Sequence, residues 1–117
     1  MEYLLMIYTA PDSGEPAPGT PEFGEYIHGY EEMGKEATDR GVMRGGNALQ
    51  DVTTATTVRV RGGKIETTDG PFAETKEILG GYYLLDCKDL DEAIEFAGKI
   101  PGAKYGSIEI RPVMVFD

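Results

Sequence analysis

The chain is organised around DGPFAETKE, residues 69–77, which is followed by LGGYY, residues 79–83. Asp, Gly and Pro in succession are typical of a tight turn, because Asp bonds nearby backbone, Gly adopts positive φ and Pro restricts φ. Four ionisable side chains lie within these nine residues: Asp69, Glu74, Lys76 and Glu77. The stretch predicts either a solvated turn or a rigid loop that presents a carboxylate and an ammonium group to a cleft.

The segments around this loop have the patterns of β-strands. Residues 56–61 alternate valine with threonine or arginine, Gly62-Gly63 predicts a two-residue hairpin turn, and residues 64–68 predict the returning strand. Three further strands are predicted, the first of them central and buried on both faces, the last limited by Pro112 to an edge or end position. They cover residues 3–8, 81–87 and 106–111.

Two helices are predicted. Thr20, Pro21 and Glu22 form a helix start, with the threonine hydroxyl as the expected cap, and Gly41 is the expected stop. Residues 89–99 predict the second helix, which begins with a capping box formed by Asp and Glu three residues apart. The first helix has one apolar face, made by Phe23, Ile27, Tyr30, Met33 and Ala37.

Residues between these elements predict loops and one irregular strand. Residues 9–20 contain three prolines and two glycines, so we expect a loop long enough to cover part of the molecule. Residues 42–51 contain Gly45-Gly46 and predict a short strand with a bulge.

The order of these elements predicts an α+β fold. We expect a single domain over residues 1–117, with a ferredoxin-like split βαβ topology and both helices on one face of an antiparallel sheet. Apolar residues on both sides of the first strand and of the strand around Tyr82 indicate that the other face is also covered. A second copy of the chain is the simplest cover, so we expect a homodimer.

Composition excludes several classes of function. The net charge of −10 opposes binding to nucleic-acid phosphates and to anionic membrane surfaces. A single cysteine, Cys87, excludes an intramolecular disulfide and fits a reducing compartment. No apolar run approaches the ~20 residues that span a bilayer, and the first residues lack the basic segment of a signal peptide. We therefore expect a cytoplasmic protein.

The DGPF motif at residues 69–72 resembles the signature of the DGPF-type family of YCII-related proteins. The resemblance extends through ETKE (74–77) and GGY (80–82), and the remaining strands and the second helix also match the family. It implies a dimeric α/β barrel. Related YCII-type domains have been proposed to use a His and Asp pair, and members of the family resemble products encoded beside extracytoplasmic-function sigma factors.

The sequence has no common metal or phosphate motif. One Cys and one His cannot form a structural zinc site, and neither a phosphate-binding Gly-rich loop nor a Gly-x-Ser-x-Gly elbow is present. We expect neither a metal nor a cofactor.

Two residues are candidates for catalysis. Asp69, at a predicted strand end beside Phe72, could accept a proton; its alternative role is to cap the turn. His28, the only histidine, could be a general base, or an axial haem ligand as in some related barrels. Its alternative is a surface histidine that pairs with a glutamate on the same helix.

Five further residues are predicted to contact a bound molecule. Lys76 would neutralise an anionic group, or pair with Glu74, and Arg111 has cross-strand pairing as its alternative. Tyr82 and Tyr83 are further candidates to line a cavity between sheet and helices, or to be core. The predicted binding residues are Tyr8, Phe72, Glu74, Lys76 and Arg111.

Two functions fit these patterns. The first is a small-molecule-binding protein or cofactor-free enzyme that carries out acid–base chemistry in a cleft near the Asp69–Lys76 loop. The second is a non-catalytic regulatory or partner-binding module, since the negative charge suits a basic protein surface. The sequence alone leaves both open.

Overall fold

The computed structural model describes residues 1–117. Six strands and two α-helices follow one another, with 3₁₀ turns at Val52–Thr54 and Pro101–Lys104. The elements are β1 (Glu2–Thr9), α1 (Pro21–Asp39), β2 (Met43–Ala48), β3 (Thr56–Arg61), β4 (Lys64–Asp69), β5 (Ile78–Asp86), α2 (Leu90–Lys99) and β6 (Ser107–Pro112).

Four strands form one antiparallel sheet in the order β2-β5-β1-β6, and β3 and β4 pair only with each other. This order, with α1 after β1 and α2 after β5, is the ferredoxin-like split βαβ topology, so the predicted fold class is confirmed. The β3–β4 hairpin is inserted between β2 and β5, that is, between the two βαβ halves of the fold. Pro112 lies on the edge strand β6, as its missing N–H requires.

The core lies between one face of the sheet and the two helices. Tyr3, Leu5 and Ile7 of β1 are buried there, together with Phe96 and other residues of α1 and α2. Leu4 and Met6, which point to the opposite face, are only partly buried. The prediction that β1 is buried on both faces is therefore met in a single chain only for the face that carries Tyr3, Leu5 and Ile7. We call the other side, formed by Leu4, Met6, Tyr8, Tyr82 and Leu84, the open face.

Helix α1 begins and ends where the sequence predicts, but its predicted cap is wrong. The Thr20 hydroxyl donates to the Ala17 carbonyl at 2.7 Å and accepts no N–H from the helix, because the preceding turn engages it first. Gly41 ends the helix with φ of +73°. Gly29 lies against Pro101, where an added Cβ would come within 2.8 Å of Cγ, so α1 packs closely at this point.

Helix α2 has the predicted capping pair. The Asp89 carboxylate accepts the Glu92 N–H at 2.9 Å, and the Glu92 carboxylate accepts the Lys88 N–H at 2.9 Å. Arg40, at the end of α1, bridges to Glu92 and Glu95 at 2.8 Å each and lies 4.5 Å from the centroid of the Phe96 ring. These contacts fix the two helices relative to each other.

The hairpin has the predicted turn, since Gly62 and Gly63 have φ of +58° and +76°. Strand β2 has the predicted bulge, between Met43 and Gly45. Neither helix is both long enough and apolar enough to cross a membrane.

Candidate functional site

The DGPF loop forms the predicted turn; the side chains of Asp69, Glu74 and Lys76 are exposed, whereas Glu77 is partly buried and accepts the Ser107 hydroxyl at 2.8 Å. The Gly70 N–H donates to the Ala55 carbonyl at 2.7 Å, the Thr57 hydroxyl donates to the Gly70 carbonyl at 2.8 Å, and Gly70 has φ of +98°. The Asp69 carboxylate accepts no hydrogen bond, so backbone and Thr57 hold this turn. Phe72 is also exposed.

His28 lies on the exposed side of α1. Its Nε2 is 2.9 Å from a Glu32 carboxylate oxygen. This is the pairing expected of a surface histidine, the alternative role predicted for His28. It borders a groove of about 750 Å³ between α1 and residues 98–105, which is lined mainly by polar side chains. No residue of the Asp69–Lys76 loop borders that groove, so the structure does not bring Asp69 and His28 together there.

Tyr8 and Arg111 lie on the open face of the sheet. The Tyr8 hydroxyl points back toward Met6, 3.9 Å from its sulfur, and Arg111 lies opposite Leu4 on the adjacent strand. The seven predicted site residues therefore occupy three separate surfaces of one protomer: the DGPF loop, the outer side of α1 and the open face.

A second cleft, of about 550 Å³, lies on the helix side of the sheet. Its walls are loop 9–20, the first turns of α1 and the paired ends of β2 and β5. Nine of its 17 lining residues are hydrophobic, against four of 15 in the groove beside His28, so this cleft is the more apolar of the two. Tyr83 lines it from the helix side of the sheet, and Tyr82, whose side chain lies on the open face opposite Met6, borders it through β5. None of the seven predicted site residues lines it.

Four polar side chains meet at the wall of this cleft. The Tyr26 hydroxyl donates a short hydrogen bond to a Glu15 carboxylate oxygen, and the Thr9 hydroxyl donates to the other oxygen at 3.4 Å. The Tyr30 hydroxyl lies 3.4 Å from that of Tyr26, and their rings meet edge to face. A carboxylate and two phenols thus converge on a mainly apolar space.

The sequence positions these groups through the helix period and the loop. Tyr26 and Tyr30 are four residues apart on α1 and therefore share a face. Glu15 is brought to them by loop 9–20, in which the Ser13 hydroxyl accepts the Glu15 N–H at 3.2 Å.

Burial keeps the phenols protonated. The pKa of Tyr26 is raised well above its ordinary value, first by burial and then by its hydrogen bond to Glu15. Burial also raises the pKa of Tyr30 and of Tyr83. At neutral pH the three phenols are protonated, and the Tyr26 hydroxyl donates to the Glu15 carboxylate.

Glycines on β2 and β5 form the floor of the cleft. A Cβ at Gly46 would lie 2.6 Å from Cδ1 of Tyr83, and one at Gly81 would lie 3.0 Å from the Asn47 carbonyl oxygen. The strands and the Tyr83 ring therefore approach as closely as they do only because no side chain intervenes.

Sequence reasoning missed Glu15, Tyr26 and Tyr30 as a site. The available signal was the Tyr-x-x-x-Tyr spacing on α1, together with two carboxylates, Asp12 and Glu15, in a proline-rich loop that was expected to cover part of the molecule. That signal does not specify which face of α1 the loop covers.

Comparison with known proteins assigns the family. The model of the YCII-related domain matches residues 1–117. The chain belongs to the YCII-related domain family. The family resemblance drawn from the DGPF motif is therefore confirmed.

Two individual proteins are similar to this chain. An uncharacterized protein of Rhizobium meliloti (strain 1021) is 47% identical over 70 residues, which cover 58% of this chain and 56% of the relative. The chain thus matches little more than half of that relative's length. Among solved structures, 5-chloro-2-hydroxyhydroquinone dehydrochlorinase (TftG) from Burkholderia phenoliruptrix AC1100, in complex with 2,5-dihydroxybenzoquinone, is 12% identical with a TM-score of 0.49, over 97% of this chain and 94% of that one.

Proposed function

We propose that this YCII-related protein binds small, neutral organic molecules in the cleft formed by Glu15, Tyr26 and Tyr30. One observation carries the proposal: a carboxylate and two protonated phenols converge on a largely apolar cleft of about 550 Å³. Concave, mainly apolar sites with a few convergent polar groups are typical of small-molecule sites.

The charges favour a neutral ligand that carries a hydroxyl or a carbonyl group. Glu15 and the net charge of −10 repel anions. A ligand hydroxyl can donate to Glu15, and a ligand carbonyl can accept from the Tyr30 hydroxyl, because the Tyr26 hydroxyl already donates to Glu15. The remaining ligand surface would contact Phe23, Ile27 and the glycine floor.

The same groups support acid–base chemistry without a cofactor. Glu15 would accept a proton from the bound molecule while Tyr30, whose hydroxyl proton is not bonded to Glu15, donates a hydrogen bond to the developing oxygen charge. Asp69 stays a proposed second carboxylate. The loop that carries it runs directly into β5, whose Gly80 and Gly81 line the cleft, and β5 begins opposite Thr9.

The protein is proposed to act as a homodimer. A compact monomer of 12.7 kDa exposes about 6,200 Å², whereas this protomer exposes 8105 Å². The difference of about 1,900 Å² exceeds the ~800 Å² that each partner contributes to a standard interface. A second copy on the open face would cover Leu4, Met6 and Leu84.

Ligand-observed NMR with phenol as the probe, and benzene as its analogue without a hydroxyl, tests the binding proposal. We expect phenol to bind more tightly than benzene. We expect Glu15→Gln to weaken phenol binding by about tenfold or more, since hydrogen bonds to charged groups contribute roughly 1.5–3 kcal/mol.

Glu22→Gln is the matched control, because it removes the same charge from the start of α1, and Glu22 borders the polar groove but not the proposed cleft. It should bind phenol as the wild type does. Equal affinities for phenol and benzene, or equal losses in the two glutamate variants, would contradict the proposed site.

A further inference from the structure

The β3–β4 hairpin exposes the face that a protein normally buries. Val60 lies opposite Ile65, and Val58 lies on the same face opposite Thr67. Val58, Val60 and Ile65 are 59–75% exposed. The only partly buried residues of the hairpin, Thr57 and Arg59, lie on the other, polar face. The hairpin therefore turns its polar side inward and its apolar side to solvent.

This hairpin has little support from its own protomer. Its strands hydrogen-bond only to each other in the sheet topology, and an isolated two-stranded hairpin is at best marginally stable in water. The radius of gyration of 16.2 Å exceeds the value of about 13.5 Å for a compact chain of this length. The hairpin thus needs an apolar surface from outside the protomer.

A second unsupported apolar surface lies in the segment after β6. Met114, Val115 and Phe116 are 73–85% exposed. This segment leaves the sheet where Pro112 pairs with Tyr3, at the start of β1. The hairpin is attached at the other end of the sheet, where β5 begins opposite Thr9. One protomer therefore carries its two exposed apolar surfaces at opposite ends.

Charge makes a second copy a suitable occupant. Residues 56–69 contain three basic side chains and two acidic ones, whereas the whole chain has a net charge of −10. The hairpin is thus a slightly basic element on a strongly acidic protein, and it would be attracted to another copy.

We infer that the hairpin is an intermolecular arm whose Val58–Val60–Ile65 face packs on Met114–Phe116 of a second copy. A twofold axis perpendicular to the strands places the hairpin end of one copy beside the C-terminal end of the other. The same contact then forms twice in a closed dimer, and all four apolar surfaces are covered. This inference rests on the proposed homodimer and specifies the contact that holds it.

Cross-linking tests the contact directly. Ile65→Cys and Val115→Cys proteins are mixed and treated with a short bismaleimide, with Glu66→Cys in place of Ile65→Cys as the control, because Glu66 lies on the opposite face of the hairpin. We expect strong cross-linking only for the Ile65 and Val115 pair. Cys87 is buried, so the wild type should not react.

Analytical ultracentrifugation separates this inference from the homodimer itself. Ile65→Lys should raise the dimer dissociation constant by about a hundredfold or more, since two buried isoleucines are lost per dimer. Thr68→Lys is the charge-matched control, because Thr68 pairs with Thr57 on the polar face of the hairpin, and it should leave the dimer intact. A dimer unaffected by Ile65→Lys would overturn the arm and leave the homodimer standing, whereas a monomeric wild type would overturn both.

Discussion

Gly46 offers a sharp test of the close packing beneath the cleft. In Gly46→Ala the new Cβ would lie 2.6 Å from Cδ1 of Tyr83, 2.9 Å from the Tyr82 carbonyl oxygen and 3.1 Å from Cε1 of Tyr83. An ordinary carbon–carbon contact is about 3.5–4.0 Å, so the Tyr83 ring has to move by about 1 Å. That ring packs against the hydrophobic core and cannot move freely.

The expected cost follows from this geometry. Overpacking of a well-packed site typically destabilises by about 1–3 kcal/mol. The unfolding entropy of 117 residues is about 0.25 kcal/mol/K, so the melting temperature should fall by about 4–12 °C. Differential scanning calorimetry measures the change.

The neighbouring Gly45 provides a matched control. An added Cβ at Gly45 meets nothing within 4 Å, so Gly45→Ala should leave the melting temperature unchanged or raise it slightly. Equal melting temperatures for the two alanine variants would refute the claim that Gly46 is required for the approach of β2 to Tyr83.

Three further predictions concern ionisable residues. The pKa of Tyr26 is raised above its ordinary value of 10 by burial and by Glu15, so stability should decline above pH 10, and Tyr26→Phe should decline less in urea unfolding at pH 9–11. Arg40 and then Lys99 lower the pKa of Glu95 to about 2, so the stability that Glu95 contributes is present above pH 4.5 and is lost toward pH 2. Arg40→Gln should therefore reduce the loss of unfolding free energy between pH 4.5 and pH 2, and an unchanged loss would contradict the ion pair. Asp69→Ala should leave the melting temperature within about 2 °C of the wild type, because an exposed carboxylate without hydrogen bonds stabilises little; a larger drop in Asp69→Ala that is absent in Asp69→Asn would restore its role as a turn cap.

Local patterns predicted most of the fold. The Gly62-Gly63 turn, the bulge near Gly45 and the Asp89 cap each depend on residues close together in sequence, and the structure has all three. The Thr20 cap failed because a hydroxyl at a helix start has competing acceptors in the preceding turn, and here Ala17 provides one.

The site was less predictable, because it depends on where a loop lies. Glu15 meets Tyr26 only through the path of loop 9–20, which no periodic pattern specifies. Asp69 and His28 were predicted as catalytic residues because of their residue types, whereas in the structure both are exposed and lie on separate surfaces of the protomer. Exposure of the valines of β3 was also unexpected, since alternation predicts that one face of a strand is buried but does not name the molecule that buries it.

Tyrosine ring NMR during titration with phenol tests the central claim most directly. Of the seven tyrosines, Tyr26, Tyr30 and Tyr83 line the proposed cleft from the helix side of the sheet, whereas Tyr8 and Tyr82 have their side chains on the open face. We predict saturable shifts of the Tyr26 and Tyr30 ring resonances that are lost in Glu15→Gln, with the Tyr8 resonances unchanged. Saturable shifts at Tyr8 alone would instead place binding on the open face and contradict the account.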